Sequence, residues 1–219
     1  AYIGMFLAAD GLPTLSQFIW ITVAMVGART VAMSSNRLIH WKEDAANPRT
    51  LARHLPKGLL KPWEMGLLLG VSLGVFFLAA SQLNNLTLAL APVAAVVVVG
   101  YSLVKYYSWT THFVLGVADA IAPVGGWIAV TGTIEPEAAL LALAVATWIG
   151  GFDIIYACVD INFDIKYGVH SIARHFGILG AFWWYRAMHL VTSLSLLTLG
   201  IWMGLGYLYY IGWAVASAL

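Results

Sequence analysis

The stretch PEAALLALAVATWIGGFDIIYACVDINFD, residues 136–164, decides the fold class. Apart from Asp153 it carries no charge from Ala138 to Val159, about the 20 residues that a helix needs to cross a bilayer. Only helices and closed barrels satisfy their backbone polar groups inside lipid, and a barrel shows short alternating segments instead of one long apolar run. The stretch therefore predicts a membrane-spanning helix with one carboxylate, that of Asp153, inside its apolar run.

The rest of the chain repeats this pattern. Of its 219 residues, 61% are hydrophobic and only 10% are charged, whereas a soluble domain has about 25% charged residues. We therefore expect an all-α polytopic membrane bundle that forms a single domain over residues 1–219 and is cut short at both ends. The expected helical segments are roughly 1–9, 16–35, 64–81, 86–104, 112–131, 137–157, 179–202 and a partial one from 205.

The distribution of charge predicts how the chain is oriented. When the spans are threaded alternately, all eleven Lys and Arg residues fall at one membrane face, and the opposite loops carry Asp10, Glu135 and Glu137. The positive-inside rule makes the basic face cytoplasmic, in the inner membrane of a prokaryote. A net charge of +1 gives no indication of nucleic-acid binding, and the single cysteine excludes a disulfide framework.

The two longer cytoplasmic loops and the helix ends beside them carry the candidate functional residues. Asp160 and Asp164 are spaced i, i+4 at the end of the stretch quoted above, and Asp153 and Tyr156 continue the same face backwards. Two carboxylates one turn apart suit Mg²⁺, which typically takes one or two carboxylates together with substrate phosphate. The alternative is a solvated helix end with Lys166 as the counter-ion.

A second polar set follows the span at 16–35. Asn36, His40 and Asp44 step by four, and Arg49 and Arg53 come next, again four residues apart. Guanidinium groups bind phosphate oxygens bidentately, so an acidic set beside two arginines predicts a diphosphate site. The alternative is an ordinary basic loop on the cytoplasmic side.

The two sets resemble the signature motifs of the UbiA superfamily, and most of the chain between about residues 29 and 177 is similar to its 4-hydroxybenzoate-type prenyltransferase branch, which includes the menaquinone enzymes of the futalosine route. The similar segments are NRLI and DAANPRTLARHLPKG within residues 36–58, YSLVKYYSWTTH (101–112), LGVADAIAPVGGWIAVTG (115–132) and GFDIIYACVDINFDIKYGVHSIARHFG (151–177).

The resemblance implies nine helices, of which seven to eight are expected here, around a cavity open to lipid. It implies transfer of a polyprenyl group from polyprenyl diphosphate to an aromatic acceptor in quinone biosynthesis, with Mg²⁺ as the cofactor. It implies Asn36, Asp44, Asp160 and Asp164 as metal ligands. It places Arg49, Arg53 and Lys105 near the diphosphate and Asp153 and Tyr156 in the acceptor pocket, with Lys105, Asp153 and Tyr156 as the catalytic candidates.

Departures from the family pattern leave alternatives open. His40 and Lys42 stand where acidic residues are usual, and Tyr106 stands where Arg is usual. Imidazole is a poor ligand for Mg²⁺, so the first metal site is expected to be weak. The protein is then an enzyme with one dominant metal site, a degenerate relative that serves as a quinone- or isoprenoid-binding subunit of a membrane complex, or a small transporter. For His112 and His170, acceptor contact and interfacial hydrogen bonding are both open.

Overall fold

The structure is a computed structural model that describes residues 1–218, and every helix in it belongs to a run predicted from the sequence or to one of the two long loops. The α-helices in chain order are α1 (Tyr2–Ala8), α2 (Leu15–Ile39), α3 (Trp41–Ala46), α4 (Pro62–Ser81), α5 (Asn85–Gly100), α6 (Thr111–Thr131), α7 (Pro136–Ala157), α8 (Ile161–Tyr167), α9 (Ile172–Trp202) and α10 (Tyr207–Ala218). Residues 1–218 contain no strand.

The long helices match the predicted spans. Five helical segments are long and apolar enough to cross a membrane: Leu15–Ile39, Pro62–Ser81, Asn85–Tyr106, Thr111–Thr131 and Pro136–Tyr167. They confirm the five predicted spans between residues 16 and 157. The predicted span at 179–202 is helical within α9, but Arg186 and His189 lie in its first half, and α9 is not among the five.

The number of helices also agrees with the expectation. Seven of the α-helices in residues 1–218 have at least 12 residues, namely α2, α4, α5, α6, α7, α9 and α10. The seven-residue α1 makes an eighth, and the short α3 and α8 belong to the two long loops. The all-α prediction is therefore confirmed.

The helices fall into two compact units. The first unit is Leu12–Leu103. In it α2 packs along α4 and also touches α5. Thr14 caps the start of α2: its hydroxyl accepts a hydrogen bond from the backbone N–H of Gln17, and the Gln17 side chain accepts one from the backbone N–H of Thr14. Gly27 lies so close to the backbone of Phe76 that a Cβ there would be 3.1 Å from its nitrogen, and this absence of a side chain allows α2 and α4 to pack tightly.

The second unit is Ala1–Gly11 together with the described residues from Val104 onwards. Its centre is α7, which packs against α6 and α9, while α1 packs on α6. A Cβ at Gly116 of α6 would collide with the carbonyl oxygen of Ala146 on α7. Gly177, with φ of 72°, breaks α9 near its start. The buried cluster nearest the polar residues consists of Ile154, Ile172, Ala173, Ala181 and Met188.

Candidate active site

The first polar set lies where α2 passes into α3. His40 ends α2 and precedes α3, with φ of −105° and ψ of 14°, so the two helices are joined by a single non-helical residue. The backbone N–H of His40 bonds to Asn36, and its carbonyl accepts from Asp44. The side chain of Asn36 donates to Ser102 Oγ at 3.1 Å. The spacing of four is therefore kept across the junction, and Asn36 is held by Ser102 in the 3-10 helix that follows α5.

Asp44 and Arg53, predicted as a metal ligand and a phosphate ligand, are bound to each other. Arg53 Nη1 donates to both carboxylate oxygens of Asp44 at 2.7 Å. Asp44 is only 7% exposed, so its charge is removed from most of the water and offset by the guanidinium. Thr50 closes this loop by donating to the carbonyl oxygen of Asp44 at 3.0 Å.

The loop that follows α3 is not helical, which changes the expected relation of the two arginines. Residues 47–60 form turns and bends, so Arg49 and Arg53 do not share a helix face. The backbone N–H of Arg49 donates to the Asn47 side chain at 2.9 Å, and Arg49 is exposed. Arg53 instead turns towards Asp44, because a buried carboxylate gains most from a charged donor.

The second polar set lies at the end of α7. A 3-10 turn, Cys158–Asp160, separates α7 from α8, so the predicted single helical face is interrupted there. Asp164 is 6% exposed and accepts a hydrogen bond from Ser171 Oγ at 2.8 Å. Ser171 also caps α9 by accepting from the backbone of Arg174. Asp164 is therefore not solvated as the alternative of a solvated helix end expects.

Asp160 and Lys105 lie near Asp164. The charge of Asp164 interacts unfavourably with Asp160 and favourably with Lys105, so the structure brings the acidic pair together with the predicted lysine. Lys105 lies on the 3-10 helix Tyr101–Tyr106, and its carbonyl oxygen accepts from the backbone of His170 at 2.8 Å. The peptide of Lys105 is therefore joined to the loop before α9.

Asp153 is held by a histidine that the sequence did not assign to a single role. Its Oδ2 lies 2.7 Å from Nδ1 of His112, which is buried at the start of α6. Nε2 of the same ring lies 3.2 Å from the backbone nitrogen of Ile172. The Asp153 side chain is 36% exposed. One turn further on, Tyr156 is also exposed and stacks on Phe152, with ring centroids 6.2 Å apart.

Comparison with known proteins agrees with these motifs. The profile of the UbiA prenyltransferase family matches residues 1–219.

The chain belongs to the UbiA prenyltransferase family.

Relatives within this family are similar along nearly the whole chain. The 4-hydroxybenzoate octaprenyltransferase of Aliivibrio fischeri is 32% identical over 219 residues, which is 98% of this chain and 74% of the relative. The enzyme of the same name from Aeromonas salmonicida is 33% identical with the same coverage. Membership of this family favours an enzyme over the degenerate binding subunit.

Solved UbiA structures share the fold. The apo structure of a UbiA homologue from Aeropyrum pernix K1 superposes with a TM-score of 0.92 at 29% identity, covering 99% of this chain and 82% of the homologue. A UbiA homologue from Archaeoglobus fulgidus, solved bound to GPP and Mg²⁺, superposes with a TM-score of 0.74 at 17% identity, covering 94% of this chain and 73% of that one.

The donor sets of the two UbiA motifs differ in how well they fit a magnesium ion. Residues 1–218 contain no group of three or more His, Cys, Asp or Glu side chains placed to hold a metal by themselves. A site completed by substrate phosphate needs only one or two carboxylates, and Asp160 with Asp164 supplies them. At the first motif Asp44 already binds Arg53. The second motif fits the ion, and the first does so only if Asp44 leaves its arginine.

Sequence reasoning missed the residues that hold the motifs in place. Ser102 and Ser171 were not singled out, although each bonds to a predicted metal ligand. A local signal does exist for Ser171, because Ser directly before apolar residues such as Ile172 and Ala173 is typical of an N-cap. The bond from Asn36 to Ser102 spans 66 residues, and no local pattern indicates it.

Proposed function

We propose that this protein transfers a polyprenyl group from polyprenyl diphosphate to an aromatic acceptor in quinone biosynthesis. The relatives named 4-hydroxybenzoate octaprenyltransferase support this reaction and make 4-hydroxybenzoate the first acceptor to test. The observation that carries the proposal is the arrangement in the second unit. There Asp164 is buried and bound to Ser171, and Asp153 is held by a ring that also bonds to Ile172.

The acidic pair serves the departing diphosphate. When bound, Mg²⁺ neutralises the negative charge that develops on that group, and Asp160 and Asp164 supply the oxygen ligands that the ion prefers. Lys105 adds a positive charge near Asp164. This pair is the dominant metal site that we propose. That a UbiA homologue was solved bound to GPP and Mg²⁺ supports the use of Mg²⁺.

The first motif has a secondary role in this proposal. Asn36 and Asp44 remain candidate ligands there and His40 is a poor one, while Arg49 and Arg53 bind phosphate oxygens. Arg53 holds Asp44 in this structure, so one guanidinium contributes positive charge at the place where a metal ion is otherwise expected.

Asp153 and Tyr156 serve the acceptor. In the reaction the allylic C–O bond breaks, a ring carbon of the acceptor forms the new C–C bond, and the proton on that carbon leaves to a base. A carboxylate that accepts a hydrogen bond from the acceptor's hydroxyl makes the ring more electron-rich. The exposed faces of Tyr156 and Phe152 suit an allylic cation, and exclusion of water protects that cation from hydrolysis.

We further propose that the motif loops face the cytoplasm at a prokaryotic inner membrane and that residues 1–219 act as one functional domain. The charge asymmetry supports the orientation, and the family match through both units supports the single domain. Labelling with a membrane-impermeant maleimide tests the orientation, with Cys158 replaced and a cysteine placed at Lys57 or at Gln82. The proposal requires labelling of the two positions from opposite sides.

The function itself is tested by transfer in nanodiscs. We would supply radiolabelled polyprenyl diphosphate and a panel of aromatic acids, with Mg²⁺ or with EDTA. The unaltered chain is expected to form product only with Mg²⁺. Asp164→Asn is expected to lower kcat by at least about 100-fold because the metal loses a charged ligand, while the loop control Asp10→Asn keeps wild-type activity.

Restoring acidic residues at the first motif provides the complementary test. His40→Asp combined with Lys42→Asp adds oxygen ligands and removes a positive charge, so the Mg²⁺ concentration for half-maximal activity is expected to fall several-fold. If the unaltered chain forms no product with any acceptor and the restored variant does, the protein is a degenerate relative and the proposed function is wrong.

A further inference from the structure

His112 joins three helices at the edge of the candidate acceptor site. It is the second residue of α6 and is 2% exposed. Through Nδ1 it contacts Asp153, 41 residues along the chain on α7, and through Nε2 it contacts the backbone of Ile172, 60 residues along at the start of α9. A buried histidine with both ring nitrogens engaged has a fixed ring orientation.

The backbone contact decides where the proton of His112 lies. A peptide N–H can only donate, so the Ile172 N–H requires the lone pair of Nε2. The proton of the neutral ring is therefore on Nδ1, which donates to Asp153 Oδ2 at 2.7 Å. A protonated imidazolium would set a second N–H against that of Ile172, so the arrangement selects the neutral Nδ1–H tautomer.

This geometry constrains the carboxylate as well as the ring. Oδ2 of Asp153 is committed to His112, and Oδ1 is the acceptor that remains on a side chain with more than a third of its surface exposed. Ile172 is the first residue of α9, where backbone N–H groups have no partner within the helix. The start of α9 is therefore connected to Asp153 by two hydrogen bonds through the His112 ring.

We propose that His112 is a positioning residue that sets the orientation of Asp153 towards the aromatic acceptor, an inference that rests on the proposed prenyl transfer. By holding Oδ2, it leaves Oδ1 to accept the hydrogen bond from the acceptor's hydroxyl. His112 itself takes no part in forming or breaking the bonds of the substrates. Its removal therefore affects the use of the acceptor and not the binding of the prenyl diphosphate.

Two substitutions separate this role from a merely structural one. In His112→Asn the amide nitrogen takes the place of Nδ1, so the donor to Asp153 is kept and the acceptor for Ile172 is lost. In His112→Gln the amide oxygen takes the place of Nε2, so the contact to Ile172 is kept and the donor to Asp153 is lost. A residue that only anchored α9 would tolerate Gln and not Asn; the positioning role requires the reverse.

The experiment measures kcat and KM for both substrates in nanodiscs. His112→Gln is expected to lower kcat/KM for the acceptor by about 10- to 100-fold, by analogy with the loss of a partner that orients a metal ligand, with the KM for prenyl diphosphate within about twofold of wild type. His112→Asn is expected to retain most of the acceptor kcat/KM. The matched controls are His189→Asn and His189→Gln, because among residues 1–218 the His189 ring hydrogen-bonds only to the backbone carbonyl of Tyr185 on its own helix. Both controls should behave as wild type.

The outcomes that overturn the inference are distinct from failure of the function. If the Asn and Gln variants are impaired equally, or if Gln is the milder change, His112 does not position Asp153. If the unaltered chain transfers no prenyl group, the proposed function fails, and ¹⁵N-histidine NMR of the full chain decides the contact. If the His112 ring carries its proton on Nε2, the inferred contact with Asp153 is wrong. An Nδ1–H signal that moves upfield in Asp153→Ala supports the contact.

Discussion

The pair formed by Asp44 and Arg53 predicts a measurable coupling energy. Arg53→Met removes the donor that bonds to both oxygens of a carboxylate that is almost fully buried. A hydrogen bond to a charged group contributes about 1.5–3 kcal/mol, and the Arg53 side chain is 33% exposed. Solvent screening therefore favours the lower end, about 1.5–2 kcal/mol. At about 2–4 °C per kcal/mol for a chain of this size, the expected fall in Tm is about 3–8 °C.

A double-mutant cycle isolates the pair. Asp44→Asn alone removes the charge but leaves an amide that still accepts from Arg53, so a fall of about half that size is expected. In the combined variant residue 44 carries no charge that needs a cation, and the loss should be smaller than the sum of the single losses by about 1 kcal/mol or more. Thermal unfolding in detergent, followed by intrinsic tryptophan fluorescence, measures all four proteins. Strictly additive losses would refute the reasoning, because the two side chains would then contribute independently.

The same cycle also separates stability from catalysis. Arg53 is proposed to bind phosphate oxygens, so Arg53→Met should raise the KM for prenyl diphosphate as well as lower Tm. A lysine keeps the charge but not the planar geometry. Arg53→Lys should therefore recover part of the stability and less of the affinity.

Two further substitutions test how the second unit is held together. Ser171→Ala removes the cap of α9 and the donor to Asp164; we expect a stability loss of about 0.5–2 kcal/mol and a several-fold higher Mg²⁺ requirement in the transfer assay, both recovered by Ser171→Thr, and an unchanged Mg²⁺ requirement would contradict the proposed role of Asp164. Gly116→Ala places a methyl group against the carbonyl of Ala146 and should lower Tm markedly, while Gly125→Ala, which meets nothing within 4 Å, should leave Tm unchanged or raise it.

The spans and the motif spacing could be predicted because they depend on local sequence. A run of apolar residues such as 138–152 is buried in lipid whatever its neighbours are, and a step of four residues places Asp160 near Asp164 in almost any helical path. Asp160 still acts on Asp164 across the turn at 158–160, since a 3-10 turn changes the helical twist by only about 20° per residue.

The partners of those residues could not be predicted in this way. Whether Asp44 meets Arg53 or a metal depends on how the loop after α3 turns back, and that loop has no periodic pattern. Whether His112 contacts Asp153 depends on how α6 and α7 are rotated about their axes. That rotation is set by close contacts such as the one between Gly116 and Ala146, which lie between helices and not within one.

In the second unit, two adjacent residues hold the two carboxylates proposed to be functional. Ser171 binds Asp164, and the backbone of Ile172 binds His112 and through it Asp153. One peptide unit at the start of α9 thus serves as the common reference for the carboxylate proposed to hold the metal and the one proposed to orient the acceptor. The Ile172 and Ala173 side chains are fully buried, so this reference is anchored in the packed core. Both carboxylates are therefore held relative to the same point of the packed core, so a change at residue 171 or 172 is expected to disturb both of them.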